Sequence, residues 1–223
     1  MRLLGDRSNR DPVRVRLLAA WTRTVSQRPA LGCAFEVLET LVLTVLIFFG
    51  IQTFVAQPFE VQQRSMERTL LGGQYVLVDK LSPRWDPYAI GDIIVFTPPD
   101  AWSQSGDVPF IKRVIGVAGD EVELRDGLVY VNTVQVSEPY LYEDDPGIPQ
   151  ETLPAAGGAT RWLIPAGELF VMGDHRGNSA DSRNFGPIEV DHVVGRAWLR
   201  YWPFDAFKLL PVPTYPELAG PAP

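Results

Sequence analysis

The chain has 223 residues, of which 46% are hydrophobic and 21% charged, so it can bury a core and is not an intrinsically disordered sequence. Its single cysteine, Cys33, excludes an internal disulfide. Seven arginines and two acidic residues precede Leu31, whereas 13 basic and 23 acidic residues lie from Gln57 onward. This acidic majority argues against a nucleic-acid-binding protein.

A mostly apolar stretch from Ala34 to Ala56 is the first predicted element. As a helix it would rise about 35 Å, enough to span a bilayer. We therefore predict a basic cytoplasmic N-terminus over 1–33, a transmembrane helix over 34–56 and an extracytoplasmic domain beyond it, since arginines favour the cytoplasmic side. The alternative is a cleaved signal peptide, but the run is long, and Phe54 would occupy a position that needs a small residue.

The rest of the chain predicts a mostly β domain over 57–210, followed by a loose proline-rich tail over 211–223. Asp126-Gly127 indicates a hairpin turn. The aromatic segment 197–204 fits a last core strand better than contact with the membrane interface. The strands are predicted at Tyr75–Val78, Ile93–Phe96, Phe110–Val117, Glu121–Leu124, Leu128–Val131 and Glu168–Met172, and loops at 85–90, 97–108 and 142–160.

Ser65 and Lys112 are the candidate catalytic residues. A serine hydroxyl needs a base to become a nucleophile. Lys112 lies in an apolar, strand-like run, where desolvation would lower its pKa toward the range of a general base. The alternatives are a solvated loop serine and a lysine that points outward from an edge strand.

The segment from Gly173 to Gly186 interleaves small, acidic and basic residues. This pattern favours a hydrogen-bonded loop with an ion pair such as Asp181 with Arg183, although a polar surface turn is the simpler alternative. His175 and His192 lack the cysteine or histidine neighbours that a zinc site needs, so neither a metal nor an organic cofactor is expected.

Together these segments resemble the type I signal peptidases, membrane-anchored serine proteases that remove signal peptides from exported proteins. The matching motifs are Pro58-Phe59, Ser65-Met66 with Thr69-Leu70, the segment 91–96, Lys112-Arg113 with Gly119-Asp120, and the loop 173–186. The resemblance implies that Ser65 is the nucleophile, that Lys112 is the base and that Ser179 orients Lys112. It also implies a supporting ion pair of Asp181 and Arg183, with Arg113 and Asp174 beside them.

The chain departs from the family pattern around the nucleophile. Gln62-Gln63 stands where the family usually has Pro-Ser or Pro-Gly, and Arg68 where proline is frequent. A serine at position 63 supplies an oxyanion donor in many members, so Gln63 leaves the oxyanion hole in doubt. His175 replaces the more common asparagine. The short segment between Asp120 and Gly173 predicts a minimal catalytic core.

The sequence thus predicts a single-pass plasma-membrane endopeptidase with two partners, the lipid bilayer and the signal peptides of exported preproteins. A non-catalytic, membrane-anchored β-domain binding protein is the first alternative. A Ser-Lys self-cleaving repressor is the second, but it would carry a DNA-binding region and no membrane helix.

Overall fold

The structure is a computed structural model that describes residues 29–100, 102 and 108–218. The chain divides into two compact units, with the boundary between Gly50 and Ile51. The predicted cytoplasmic segment before residue 29, most of the loop around 101–107 and the end of the predicted tail, 219–223, lie outside the described residues.

Helix α1, Pro29–Phe54, is the first described element. Its part Cys33–Phe54 is long and apolar enough to cross a membrane by length and composition. Proline suits the first turn of a helix, where a backbone N–H has no partner. Large apolar side chains along α1, among them Phe35 and Leu46, are exposed. Compared with the predicted helix over 34–56, α1 begins five residues earlier and ends two residues earlier.

An eight-stranded sheet forms the larger part of the second unit, and its pairings are antiparallel. Its strands run in the order β1, β2, β13, β3, β4, β11 and β12, with β14 paired to β13. Their bounds are β1 Ala56–Glu60, β2 Tyr75–Asp79, β3 Ile93–Phe96, β4 Phe110–Gly116, β11 Glu168–Met172, β12 Ile188–Glu189, β13 Val193–Trp202 and β14 Lys208–Leu209.

The segment between β4 and β11 builds two smaller sheets within the same unit. A four-stranded sheet has the order β10, β5, β6 and β7, and a separate hairpin joins β8 to β9. The bounds are β5 Glu121–Arg125, β6 Leu128–Val131, β7 Val134–Gln135, β8 Glu143–Asp145, β9 Ile148–Pro149 and β10 Arg161–Leu163.

The mostly β fold and the six predicted strands are confirmed, and so is the turn at Asp126-Gly127, where both residues have positive φ as the tight hairpin requires. The strand predicted within 197–204 is confirmed for residues 197–202, which belong to β13 between β2 and β3. The prediction of a core strand is only partly right, because Ala197 is buried whereas Trp198, Trp202 and Phe204 are exposed, and Phe204 lies beyond the strand. The predicted loop 142–160 is partly wrong, because it contains β8 and β9. Beyond α1, the described residues contain one further α-helix, the single turn α2, Ser182–Phe185.

One hydrophobic cluster of the second unit fixes the segment that carries Ser65. Val61, Met66 and Leu70 from this segment pack with Val76 of β2 and Ile111 of β4, and each of these side chains is buried. The apolar residues on both sides of Ser65 therefore hold the intervening turn against the large sheet.

The prediction of a loose tail is wrong for residues 211–218. Tyr215 and Leu218 pack against the buried cluster that includes Val122 and Phe170. The Glu217 carboxylate also accepts a hydrogen bond from the backbone N–H of Ser137. Proline density here reflects an irregular but packed chain, since proline excludes regular hydrogen bonding without excluding burial.

Candidate active site

Ser65 lies in a tight turn between β1 and β2 and is only 5% exposed. The backbone N–H groups of Thr69 and Leu70 donate to the Met66 carbonyl at 3.0 and 2.7 Å, so the residues after Ser65 form a closed turn. The Ser65 carbonyl accepts a hydrogen bond from the His175 N–H at 2.9 Å. The backbone of Ser65 is thus tied to a second segment distant in sequence.

Lys112 reaches Ser65 from strand β4. Its Nζ lies 2.7 Å from Ser65 Oγ, within hydrogen-bond distance, and 3.2 Å from the Ile111 carbonyl oxygen. The lysine is 1% exposed, so the alternative of an outward-pointing lysine on an edge strand is wrong. The two candidate catalytic side chains therefore meet inside the domain.

Burial lowers the pKa of Lys112 to about 8, because the ammonium group loses its hydration. The carboxylates of Asp181 and Asp174 act in the opposite direction, and the Arg183 guanidinium adds to the lowering. A substantial fraction of Lys112 is therefore neutral near pH 8, and a neutral amine can accept a proton from the Ser65 hydroxyl.

Gln63 also lies beside the lysine. Its Oε1 is 3.5 Å from Lys112 Nζ, and its side chain is half-buried. A glutamine side chain ends in an oxygen and an NH2 group that occupy equivalent positions. Rotation of the Gln63 amide would therefore place its NH2 group where Oε1 now lies. The residue that departs most from the family pattern is therefore close enough to the reacting groups to interact with them.

The loop 173–186 lies beside Ser65 and contains the predicted ion pair. Arg183 Nε and Nη2 donate to the two carboxylate oxygens of Asp181, each at 2.9 Å, which confirms this pair. Asp181 also caps helix α2 by accepting from the Arg183 backbone N–H. Ser179 Oγ donates to Asp181 Oδ2 at 2.7 Å. Its hydroxyl is thus directed at Asp181 in this arrangement, and orientation of Lys112 by Ser179 stays a prediction.

Arg113 and Asp174 form a second buried pair next to the lysine. Arg113 donates from Nε and Nη2 to both carboxylate oxygens, at 2.8 and 2.7 Å, and from Nη1 to the Gly91 carbonyl at 2.8 Å. The guanidinium also lies 3.9 Å from the centre of the Tyr140 ring. This two-point contact fixes the loop that starts at Gly173 against β4.

Glycine at position 173 is required by the close approach of three segments. A Cβ built there would lie 2.5 Å from the Ser65 carbonyl oxygen and would overlap the Ser179 side chain. Real Cβ atoms essentially never approach a backbone atom this closely. The absence of a side chain therefore lets the loop pass directly behind Ser65.

Two further buried contacts were missed by sequence reasoning. Arg176 is 3% exposed and binds Glu138 through Nη2 at 2.5 Å and the Gly173 carbonyl through Nε at 2.9 Å. His175 Nδ1 donates to Glu67 Oε2 at 2.8 Å. Both pairs join residues far apart in sequence. The sequence could indicate only that His175 and Arg176 lie in the polar loop 173–186, not which carboxylates they bind.

A narrow cleft runs past Ser65 between two extended segments. The pairing of β11 with β4 ends at Arg113, so Phe110 to Lys112 have no strand partner on that side among the described residues, and Ile111 of this stretch lines the cleft. The cleft is lined by Glu60, Val61, Gln62, Gln63, Ser65, Met66, Pro109 and Ile111. An extended peptide therefore has an open strand edge beside the serine.

Comparison with known proteins gives the family. The sequence model of the family described as "Signal peptidase, peptidase S26" matches residues 34–202. The chain belongs to this signal peptidase family.

Two relatives, identified by sequence, support this assignment over most of the chain. A probable signal peptidase I-2 of Synechocystis sp. is 34% identical over 190 residues, which cover 85% of this chain and 83% of the relative. Signal peptidase I of Bacillus caldolyticus is 36% identical over 171 residues, or 74% of this chain and 90% of the relative. A crystal structure of a signal peptidase I from Enterococcus faecalis V583 has 32% identity and a TM-score of 0.37, covering 50% of this chain and 97% of that one.

Proposed function

We propose that the protein is a membrane-anchored serine endopeptidase that removes signal peptides from exported preproteins with a Ser65–Lys112 dyad. Membership of the signal peptidase family supports the substrate class. The observation that carries the catalytic proposal is the 2.7 Å distance between Lys112 Nζ and Ser65 Oγ at a buried site. A lysine whose pKa lies near 8 suits the role of general base.

In this mechanism neutral Lys112 takes the proton of the Ser65 hydroxyl as Oγ attacks the carbonyl carbon of the scissile peptide bond. The resulting tetrahedral intermediate carries an oxyanion, for which the Ser65 N–H and the Gln63 side-chain NH2 are the proposed donors. Lys112 then gives its proton to the leaving amine as the C–N bond breaks. Water, deprotonated by the same lysine, then attacks the ester on Ser65. Lys112 returns that proton to Ser65 Oγ as the acyl C–O bond breaks, which releases the carboxylic acid and restores the enzyme.

The substrate would enter the cleft as an added strand. The free edge at Phe110 to Lys112 offers backbone hydrogen bonds to an extended peptide. The cleft lining combines polar residues with the apolar side chains of Val61, Met66 and Ile111. The cleft is narrow, so small side chains before the scissile bond would fit it better than large ones. This fit agrees with the small residues that precede signal-peptide cleavage sites.

Helix α1 would anchor the enzyme in the plasma membrane, with residues 1–33 in the cytoplasm and 57–210 as the catalytic domain outside. The length and apolar composition of Cys33–Phe54 support the anchor. The arginines before Leu31 support the orientation. Protease added to intact spheroplasts should therefore digest the domain and leave a small protected fragment, whereas protection of the large domain would overturn the orientation.

Cleavage of a preprotein by the full-length chain in nonionic detergent tests the activity. Wild type should cleave, while Ser65→Ala and Lys112→Ala should each fall to background, since each removes a member of one catalytic unit. His192→Ala serves as the control and should remain active. A wild-type chain that is correctly folded yet inactive would favour the non-catalytic binding protein. A loss with His192→Ala equal to that with Lys112→Ala would exclude lysine as the base.

A further inference from the structure

A second cavity, separate from the catalytic cleft, carries an excess of positive charge. Its volume is about 310 Å³, within the usual range of ligand pockets. We call it the basic cavity; it is lined by Arg68, Thr69, Arg113, Pro139, Tyr140, Arg200, Lys208, Leu210, Pro211 and Pro213. Four of these residues are cationic and none is acidic, although the domain as a whole is acidic.

Two of the four cations have carboxylate partners, and two have none among the residues that the structure describes. Arg113 is paired with Asp174, and Arg68 with Glu143. Arg200 instead donates to neutral oxygens, those of the Ala206 and Thr69 backbone at 2.6 and 3.1 Å and of the Gln74 amide.

Lys208, opposite Arg200 in the β13–β14 pair, is exposed and has no ion-pair partner among the described residues. Glu138, the other carboxylate near Tyr140, is paired with Arg176. Arg200 and Lys208 thus leave two uncompensated positive charges at one cavity.

The remaining walls indicate what kind of anion fits. Proline, leucine and tyrosine side chains make up the rest of the lining, so the cavity combines cationic donors with an apolar surface. Residues next to it in the chain expose further apolar groups: Phe204 is 76% and Leu209 62% exposed, and Phe207 and Val212 are also exposed. Cationic donors beside exposed aromatic and aliphatic groups suit a molecule with an anionic head and an apolar body.

We propose that the basic cavity binds the phosphate headgroup of an anionic phospholipid, with Arg200 and Lys208 as its main cationic contacts. The exposed side chains of Phe204, Phe207 and Leu209 then lie against the lipid interface, where aromatic and basic residues are both favourable. The proposal rests on the proposed membrane anchoring, because that anchoring keeps the domain close to lipid. It does not depend on the dyad.

The test measures lipid binding to the full-length chain in nonionic detergent by native mass spectrometry. The probes are short-chain phosphatidylglycerol, short-chain phosphatidylcholine and inorganic phosphate. Phosphatidylglycerol should bind in a saturable manner and more tightly than phosphatidylcholine.

Arg200→Gln combined with Lys208→Gln should weaken phosphatidylglycerol binding roughly 30-fold, since each basic side chain near an anionic lipid contributes about fivefold in affinity. Arg125→Gln with Arg161→Gln is the control at two basic residues of the separate four-stranded sheet and should leave binding unchanged.

Further variants distinguish a failure of the lipid proposal from misfolding and from loss of enzyme activity. Lys208→Glu changes one exposed side chain, so it should abolish the preference for phosphatidylglycerol without disturbing the fold. Ser65→Ala should bind like the wild type, so an inactive enzyme would not count against the cavity. Equal binding of both lipids, displacement of phosphatidylglycerol by equimolar phosphate, or unchanged binding by the Arg200 and Lys208 variants would each overturn the proposal.

Discussion

Replacing Lys112 by methionine tests the burial of its ammonium group through the stability of the protein. Burial lowers the pKa of Lys112 from 10.5 to about 8, and this effect outweighs the attraction of Asp181 and Asp174 for the charged form. One pKa unit corresponds to about 1.4 kcal/mol, so the whole shift amounts to about 3 kcal/mol. Methionine has a similar length and no proton to release.

The direction of the pH effect on stability follows from the pH range in which the folded and the unfolded chain each keep the Lys112 proton. Below pH 8 the lysine is charged in both the folded and the unfolded chain, and folding must bury that charge. Between pH 8 and 10.5 the folded protein has lost the proton and the unfolded chain still holds it, so the free energy of unfolding rises with pH. Relative to Lys112→Met, the wild type should gain about 3 kcal/mol from about pH 7 to about pH 11.

Urea unfolding of the full-length chain in nonionic detergent, followed by tryptophan fluorescence, measures this difference. The comparison cancels the titration of other groups, including Tyr88, whose pKa burial raises to about 12. The cleavage rate of the wild type should rise with pH over the range in which Lys112 becomes neutral. A stability difference between the two proteins that stays constant across the whole pH range would refute the reasoning.

Three further changes address the backbone and the oxyanion. Arg68 has a φ of 82°, which proline cannot adopt, so Arg68→Pro should lower stability by about 3 kcal/mol or more in urea unfolding, while Arg68→Gly should be tolerated. Gly173→Ala should cost about 1 to 3 kcal/mol and most of the activity because its Cβ would meet the Ser65 carbonyl, whereas a Cβ at Gly72 would make only an ordinary contact at 4.0 Å with the Val61 carbonyl oxygen, so Gly72→Ala is the control. Gln63→Ala should lower kcat about tenfold or more with little change in KM, while Gln63→Ser should keep activity; an unchanged kcat would exclude the side chain as a donor.

The sequence was sufficient to predict those parts of the fold that depend on local pattern. Runs of β-branched residues such as Ile93–Phe96 predicted their strands, because a run buried on both faces needs no partner to be recognised. The short strands β7, β12 and β14 have two residues each and carry no such pattern. Their existence depends on the strand beside them, which a single sequence does not reveal.

In the candidate site, too, residues with a local sequence signal were predicted, and contacts that form only on folding were missed. Lys112 stood out because a lysine inside an apolar strand conflicts with its surroundings unless it has a function. The pair of Arg176 and Glu138 lacked this signal, since both residues lie in polar segments and meet only after folding. The direction of the Ser179 hydroxyl was equally inaccessible, because it depends on whether Asp181 or Lys112 is the nearer acceptor in three dimensions.

The buried ion pairs around Ser65 and Lys112 explain how the pKa of the lysine can lie below its usual value next to two carboxylates. Burial alone would raise the pKa of Asp181, but hydrogen bonds from Arg183, Ser179 and the Gly173 N–H hold it below its usual value, so Asp181 stays ionised. An unpaired anion there would stabilise the lysine ammonium and raise its pKa. Arg183 pairs with Asp181 and itself lowers the pKa of Lys112, while Arg113 binds Asp174 in a second buried pair. Desolvation outweighs the attraction of the two carboxylates and lowers the pKa of Lys112, and Arg183 adds to that lowering.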